Sequence, residues 1–238
     1  MIDVAATRAD TPGAPFVTHF NNAGASLPPR QVLETVTDYL REESRCGGYE
    51  VAEAHADDLT SVYGTLAALV GADRSEIAVT DSATRAWDAV FSAMTFREGD
   101  RILTTSSEYA SNVIAFLQAA RRTGVLVEVV PNRPSGEIDA DALDTMIDDR
   151  VRLIAINHVP TNSGLVNPAA EVGQVAKAHG VPYLLDACQS IGQMPIDVGE
   201  IGCDLLSATS RKFLRGPRGT GFLYVRRTML DQLEPAVL

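Results

Sequence analysis

The feature that most constrains the fold of this chain is a series of seven short apolar runs separated by longer amphipathic segments. In each run, valine, isoleucine and leucine follow one another with little polar alternation. Such continuous runs are typical of strands buried on both faces, as in a largely parallel sheet covered by helices. The predicted strands are 77–80, 101–105, 125–130, 151–156, 183–185, 205–207 and 221–225.

The segments between these runs have the apolar spacing of helices. The last of them ends before Gly180-Val181-Pro182, a typical helix stop signal. Alternation of strands and helices predicts an α/β fold, a three-layer α/β/α sandwich with a mostly parallel seven-stranded sheet. The predicted helices are 28–40, 54–70, 83–96, 111–123, 139–147 and 168–179.

The two ends of the chain extend this domain. We expect residues 1–27 to form an N-terminal arm and residues 28–238 to form the large domain. Residues 228–238 have the pattern of a beginning helix that contains Pro235. We therefore expect a C-terminal small domain to follow in a longer protein.

Composition excludes several classes of protein. A formal net charge of −11 argues against sequence-independent binding to nucleic acid, which needs a basic surface. The three cysteines are widely spaced and form no C-x-x-C pair, so we expect no metal site, no disulfide framework and a reducing cytoplasm. No apolar stretch approaches the roughly 18 residues needed to cross a membrane.

Two predicted strands end in residues that can carry chemistry. Asp186 closes the run 183–185, and Lys212 follows the run 205–207 after a hydroxyl-rich turn. Ligands of open α/β sheets bind beyond the carboxyl ends of the strands. A lysine there can hold the aldehyde of pyridoxal phosphate as a Schiff base, and a carboxylate can keep the pyridine nitrogen protonated. The pair predicts a pyridoxal phosphate enzyme; taken singly, Asp186 could cap a helix and Lys212 could lie on the surface.

Other predicted strand ends are polar as well. Residues 81–84 (Asp-Ser-Ala-Thr) open a helix, where backbone N–H groups can hold a phosphate or where Asp81 or Ser82 can simply cap the helix. Tyr109 can lie flat on a cofactor ring or be an ordinary half-buried tyrosine. The loop 157–164 carries several short hydrogen-bonding side chains, which can contact a ligand or form a turn.

A basic cluster surrounds Lys212 in this acidic chain. Arg211, Arg215 and Arg218 can attract a phosphate or form a solvated run of charge. The glycine-rich turn 216–221 precedes a strand rather than a helix, so it fits neither the dinucleotide-binding fingerprint nor the Walker A loop.

Taken together, these strand ends resemble the class V aminotransferase family of fold-type I pyridoxal phosphate enzymes. The family includes cysteine desulfurases, selenocysteine lyases, isopenicillin N epimerase and kynureninase. The resemblance extends from residues 20–24 (Phe-Asn-Asn-Ala-Gly) to Val225, and its most specific part is 186–225.

The resemblance implies three central roles. Lys212 would form the Schiff base and later move the α-proton of the substrate. Asp186 would pair with the pyridinium nitrogen, and Gln189 would hydrogen-bond the phenolic oxygen of the cofactor.

The resemblance also implies contacts around the cofactor. Ala83, Thr84 and Thr209 would hold the phosphate, and Tyr109 would stack on the ring. Arg218 would reach the phosphate of the neighbouring subunit, because these enzymes work as homodimers with shared sites.

Further implied contacts lie toward the substrate. Asn22, Ala23 and Gly24 would line the side that receives the substrate carboxylate. Desulfurases usually have an asparagine near Thr161 and Asn162, and which of these two takes its place is open.

The chain departs from the desulfurase pattern. Desulfurases usually have histidine at the positions of Tyr109 and Arg211, and none of the three cysteines matches their persulfide position. Their catalytic cysteine and their carboxylate-binding arginine belong to the C-terminal part. Tyr109 with the Arg211–Lys212 pair is more similar to the epimerase-like and sulfoxide-lyase-like branch, which includes the C–S lyase of ergothioneine synthesis.

The expected activity is therefore carbon–sulfur lyase or cysteine desulfurase-like chemistry on a small amino acid. Aminotransferase or epimerase activity of the same family is an alternative. A second alternative is a non-catalytic cofactor-binding fragment, or half of a split enzyme. A nucleotide-binding domain is disfavoured because no G-x-G-x-x-G opens a helix after the first strand.

Overall fold

The computed structural model describes residues 2–235. The strands are β1 (Ile77–Thr80), β2 (Arg101–Thr104), β3 (Leu126–Val129), β4 (Val151–Asn157), β5 (Tyr183–Asp186), β6 (Leu205–Thr209) and β7 (Gly221–Val225). The α-helices within this range are α1 (Val4–Ala9), α2 (Arg30–Cys46), α3 (Gly48–Ala54), α4 (Ala56–Val70), α5 (Ala83–Ser92), α6 (Ala110–Thr123), α7 (Ala140–Met146), α8 (Ala169–His179) and α9 (Val198–Ile201). Short 3-10 helices span Arg74–Glu76 and Arg227–Gln232.

All seven strands form one sheet in the order β1-β7-β6-β5-β4-β2-β3. The strands from β6 to β3 are parallel to their neighbours, whereas β7 is antiparallel to both β6 and β1. Strand β1 therefore runs in the same direction as β6. The carboxyl ends of six strands meet at one edge, and the prediction of a mostly parallel seven-stranded sheet is confirmed.

Helices cover both faces of the sheet. On one face, Ile154 of β4 packs in a buried cluster with Val172 of α8. On the other face, the neighbouring Leu153 packs in a second cluster with Trp87 of α5 and Phe116 of α6. Successive residues of a strand point to opposite faces, so a strand covered on both sides must be apolar throughout. The three-layer sandwich is confirmed.

Several predicted helices have different bounds in the structure. The predicted helix 28–40 is α2, which continues to Cys46, and the predicted helix 54–70 begins at Ala56. His55 lies between α3 and α4, and its ring pairs with Glu42 at 2.9 Å and with Asp58 at 3.1 Å. The predicted helix 83–96 ends at Ser92, because the following chain turns so that Phe96 can join the apolar cluster beneath α5. The predicted helix 228–238 is the 3-10 helix Arg227–Gln232, and residues 236–238 lie outside the described range.

The predicted N-terminal arm packs against the segment around Lys212. The backbone amide of Ser26 donates to the carbonyl of Arg211 at 2.9 Å. The guanidinium of Arg215 donates to the carbonyl of Leu27 at 3.1 Å and to the hydroxyl of Thr11 at 2.6 Å. The arm is thus held to the loop that carries the lysine. Across residues 2–235, no helix has the length and apolar character to span a membrane.

Candidate active site

The register of the sheet aligns the ends of the strands. Asn157 of β4 pairs with Asp186 of β5, and Asp186 pairs with Ser207 of β6. On the other side, Gly221 of β7 pairs with both Thr209 and Thr80. The segments that follow β1, β4, β5 and β6 and the segment that precedes β7 therefore lie at one edge of the sheet.

A cavity of about 270 Å³ opens at this edge. Nine of the residues predicted from the sequence line it: Ala83, Thr84, Tyr109, Thr161, Asp186, Gln189, Thr209, Lys212 and Arg218. It is also lined by residues that had been given no individual role: Asp81, Ser82, Asn157, Val159, Cys188, Arg211 and Gly219.

Lys212 is buried at this edge. Its side chain follows β6 by three residues and is 5% exposed, and its amine lies 5.8 Å from the centroid of the Tyr109 ring. Within residues 2–235, no carboxylate forms an ion pair with this amine. The alternative of a surface lysine is wrong, and the amine is available to react.

Asp186 is a buried carboxylate held by neutral donors. Its Oδ1 accepts the backbone amide of Cys188 at 2.9 Å, and its Oδ2 accepts the side-chain amide of Asn112 at 3.2 Å. No helix begins after Asp186, so it is not an N-cap. No cation of the described residues pairs with it. A buried charge without a countercharge is costly, so a bound cation would find a prepared partner here.

Sequence reasoning missed Glu108 and Asn112, which stand behind this carboxylate. Asn112 also donates to Oε1 of Glu108 at 3.0 Å. Burial, and then the charge of Asp186, raise the pKa of Glu108 to about 7. The signal that could have found the pair is their spacing of four across the start of α6, with Glu108 just before the helix and Asn112 in its first turn.

The start of α5 has the features of an anion site. Ser82 caps the helix, because its hydroxyl accepts the amide of Arg85 at 3.1 Å. A Cβ on Gly221 would lie 2.8 Å from the carbonyl carbon of Ser82 and 2.9 Å from the nitrogen of Ala83, so only glycine lets the helix start rest on β7. The amides of Ala83 and Thr84 belong to the first turn, where N–H groups and the helix dipole favour an anion.

Two of the three arginines beside Lys212 reach the same place. Arg211 and Arg218 line the cavity, and Arg211 donates to the hydroxyl of Thr209 at 3.2 Å. Arg215 instead holds the N-terminal arm. The basic cluster is therefore divided between the cavity and the arm.

The remaining polar contacts come from Gln189 and the arm. The Gln189 amide nitrogen donates to the carbonyl of Ala23 at 3.1 Å, while its buried oxygen has no partner among the described residues. Such an orphaned oxygen is expected where a bound molecule supplies the donor. The prepared anion site, the unpaired carboxylate and the unpaired amine together fit the phosphate, ring nitrogen and aldehyde of the predicted cofactor.

Four predicted residues, Asn22, Ala23, Gly24 and Asn162, do not line the central cavity, although the carbonyl of Ala23 accepts the amide of Gln189. Asn162 lines a neighbouring cavity rather than the central one, whereas Thr161 lines both. The turn after Asn21 closes through hydrogen bonds from the amides of Gly24 and Ala25 to its carbonyl, at 3.2 and 3.0 Å. This turn directs Asn22 into a separate groove of the arm, so Asn22 and Gly24 do not line the central cavity.

The cysteines carry no disulfide. Cys46 is exposed, and Cys188 and Cys203 are buried free thiols. Burial raises the pKa of the Cys188 thiol well above its ordinary value. Within the part of the chain that the structure describes, no cluster of three or more His, Cys, Asp or Glu side chains could hold a metal ion.

Comparison with known proteins supports this interpretation. The family model "Aminotransferase class-V" matches residues 18–238. A probable cysteine desulfurase of Halobacterium salinarum is 32% identical over 98% of this chain and 60% of the relative. The apo structure of a cysteine desulfurase from Thermococcus onnurineus NA1 has a TM-score of 0.92 at 27% identity, covering 100% of this chain and 60% of that one.

Another similar structure is that of C-DES, a cystine C–S lyase in complex with its product cysteine persulfide. Its TM-score is 0.89 at 26% identity, covering 96% of this chain and 62% of that one. A mutant of C-DES has been solved with glycine covalently linked to its PLP cofactor. This chain thus spans about three fifths of the length of these relatives. The match over nearly all of its sequence shows that the chain belongs to the class V aminotransferase family.

Proposed function

We propose that this protein uses pyridoxal phosphate to act on a small amino acid and to cleave a carbon–sulfur bond. The observation that carries the proposal is the meeting of Lys212 and Asp186 in one cavity, where neither forms an ion pair with another described residue. Relatives named cysteine desulfurase and cystine C–S lyase support the choice of a sulfur-containing substrate.

The residues of the cavity divide the work of binding. The first turn of α5, with Thr209 and Arg211, would hold the phosphate, and Asp186 would pair with the protonated ring nitrogen. Tyr109 would cover one face of the ring, and Gln189 would hydrogen-bond its oxygen. When bound, the cofactor supplies an electron sink for charge that develops at the substrate Cα.

Lys212 has two tasks in this proposal. Its Nζ would hold the cofactor aldehyde covalently and would accept the proton from the substrate Cα. Lys212 is buried beside Tyr109, a position that would limit the access of water to this proton. The electron pair of the Cα–H bond would form a second bond between Cα and Cβ as sulfur leaves Cβ as thiolate, and the proton held by Lys212 would pass to that sulfur.

Among the described residues, the one thiol at the cavity is poorly suited to accept sulfur. A thiol that accepts sulfur must react as thiolate, which requires a low pKa. Cys188 lines the cavity, but burial raises the pKa of its thiol well above the ordinary value. The residues of the cavity would therefore serve cofactor binding and proton transfer, which elimination and desulfuration share.

The test is the absorbance spectrum of the purified chain with added pyridoxal phosphate, before and after borohydride. The sequence contains two lysines, Lys212 and the exposed Lys177 of α8, so peptide mapping of the reduced adduct is unambiguous. We expect the adduct on Lys212, its loss in Lys212→Ala and its retention in Lys177→Ala. An adduct on Lys177 alone, or none, would refute the proposal.

The reaction itself is tested by its products. With cystine or cysteine, elimination releases pyruvate and ammonia, whereas desulfuration leaves alanine. We expect pyruvate. Transfer of the amino group to a 2-oxo acid without sulfur release would instead favour the aminotransferase alternative, and loss of optical activity alone would favour the epimerase.

We propose further that the protein works as a homodimer in the cytoplasm. Arg218 lines the cavity although its side chain is exposed, which fits a contact with a second subunit. Three free cysteines fit a reducing compartment. Light scattering of the purified chain tests the first point, and fractionation of cells tests the second.

A further inference from the structure

Glu108 occupies a central place behind the cavity although it does not line it. It directly follows the polar turn after β2, and its Oε1 accepts the backbone amide of Tyr109 at 2.7 Å. The same oxygen accepts the side-chain amide of Asn112 at 3.0 Å, and Oε2 accepts the hydroxyl of Thr104 at 3.3 Å. One carboxyl thus collects three donors from the end of β2 and the start of α6.

Asn112 extends this arrangement to β5. Its side chain is 2% exposed, and its amide nitrogen donates to Glu108 and, at 3.2 Å, to Oδ2 of Asp186. Both N–H groups of the amide are therefore directed at carboxyls. Since the other oxygen of Asp186 accepts the amide of Cys188, the orientation of the Asp186 carboxylate depends on these two donors.

We propose that Glu108 is a positioning residue, which orients Asp186 through Asn112 and Tyr109 through its backbone amide. The side chain of Glu108 then orients two residues that would contact the cofactor ring: Asp186 at the ring nitrogen and Tyr109 at the ring face. The inference rests on the proposed function, and it adds two residues to which neither the sequence pattern nor the family resemblance assigned a role.

The electrostatics of the pair agree with this geometry. Burial and the charge of Asp186 raise the pKa of Glu108 to about 7, so the carboxyl is partly protonated near neutral pH. Partial protonation reduces the repulsion between two carboxyls that share one amide. Glutamine has the same shape, and its carbonyl oxygen can accept the backbone amide of Tyr109 and the side-chain amide of Asn112. It should therefore replace Glu108 as the positioning residue.

The experiment measures cofactor binding in matched variants of the full chain. Glu108→Ala and Asn112→Ala remove the link, Glu108→Gln keeps the acceptor, and Glu98→Ala is the control. Glu98 is an exposed carboxylate before the opposite, amino end of β2. The readouts are the Kd of pyridoxal phosphate by equilibrium dialysis and the visible circular dichroism of the bound cofactor, which reports the orientation of its ring.

We expect Glu108→Ala and Asn112→Ala to weaken binding about tenfold, the scale of lost supporting contacts at binding sites, and to reduce the visible dichroism. The double variant should be no weaker than either single variant, because both residues act in one chain of contacts. Glu108→Gln and Glu98→Ala should bind within about twofold of wild type, since neither breaks the link.

Wild-type affinity and dichroism in Glu108→Ala and Asn112→Ala would overturn the inference, while an adduct on Lys212 would leave the proposed function intact. Absence of the adduct in the wild-type chain would overturn both. If the alanine variants do not fold, Asn112→Asp serves instead, because it keeps the shape and removes the donor. Wild-type binding by Asn112→Asp would equally refute the positioning role.

Discussion

The two ends of the sheet differ in whether their buried charged side chains form ion pairs. At the amino end, the buried guanidinium of Arg101 meets Glu128 at 2.7 Å and Asp148 at 3.1 Å, and Arg226 meets Asp204 at 3.0 Å. At the carboxyl end, Lys212 and Asp186 are as deeply buried as Arg101, but neither forms an ion pair with another described residue.

The difference separates stabilising charges from functional ones. Paired charges at the amino end satisfy one another, so they hold strands and loops together whether or not a ligand is present. Unpaired charges at the carboxyl end lower stability unless a bound molecule supplies their partners. Buried groups that destabilise the folded protein are expected at functional sites.

The largest effect that would test this comparison is on turnover at the carboxyl end. Asp186→Asn keeps the shape and the acceptor for Cys188 but removes the charge. We expect turnover to fall about 10³-fold, because the ring nitrogen loses its partner, while the free energy of unfolding changes by no more than about 1 kcal/mol. The measurement is sulfide and pyruvate release alongside urea unfolding. Turnover near that of wild type would show that the charge of Asp186 is not needed for the reaction.

The second effect is the pH dependence of stability from Glu108. Its pKa is raised from 4.5 in the unfolded chain to about 7, so its contribution to the free energy of unfolding is greatest below about pH 4.5 and is lost as the pH rises through 7. The difference is at most about 3 kcal/mol. Urea unfolding between pH 5 and 8 should show this decline in wild type and a flatter profile in Glu108→Gln. Parallel profiles would contradict the burial of this carboxyl.

The third effect lies at the amino end. Arg101→Met leaves Glu128 and Asp148 without their cation, and we expect a loss of about 2 kcal/mol in the free energy of unfolding, since both partners are about one-third exposed. The Kd of pyridoxal phosphate should stay within about twofold of wild type, because the pair lies at the far end of β2. A large loss of cofactor binding by Arg101→Met without loss of stability would contradict the proposal that charges at the amino end only stabilise the fold.

The smallest effect compares two helix caps. Ser82 caps α5 at the cavity, and Asp197 caps α9, accepting the amides of Gly199 and Glu200 at 2.8 and 3.0 Å. Replacement of either by alanine should cost about 1 kcal/mol of stability. Only Ser82→Ala should also weaken binding of pyridoxal phosphate, by a few fold, because it loosens the helix start beside the phosphate site. Equal binding by both variants would argue against an anion site at α5.

The fold was predicted from the sequence in its main parts. Runs such as 153–156 are apolar throughout because both faces of β4 are covered, so pattern alone places them inside a three-layer sandwich. Boundaries were less accurate where a contact distant in sequence decides them. α2, for example, continues six residues beyond the predicted end at residue 40, and its Glu42 contacts the ring of His55 between α3 and α4.

The sequence predicted those site residues that directly follow the predicted strands. Asp186 and Lys212 stand out because a charged residue after a buried strand is unusual. Glu108 and Asn112 were missed because each is ordinary in sequence and gains its meaning from a hydrogen bond to a different strand. The expected role of Asn22, Ala23 and Gly24 on the substrate side stays a prediction, since Asn22 lines a separate groove and Ala23 is linked to the cavity through Gln189.

The sequence by itself determined the architecture, the family resemblance and the pair at the centre of the site. These depend on residue type and order, which set burial, strand direction and the edge at which the strands end. Only the tertiary structure decided which charges have partners, that Thr161 rather than Asn162 lines the central cavity, and that one asparagine links two carboxyls. The physical reason is that hydrogen bonds and ion pairs act over about 3 Å, a distance that only the packing of segments remote in sequence can set.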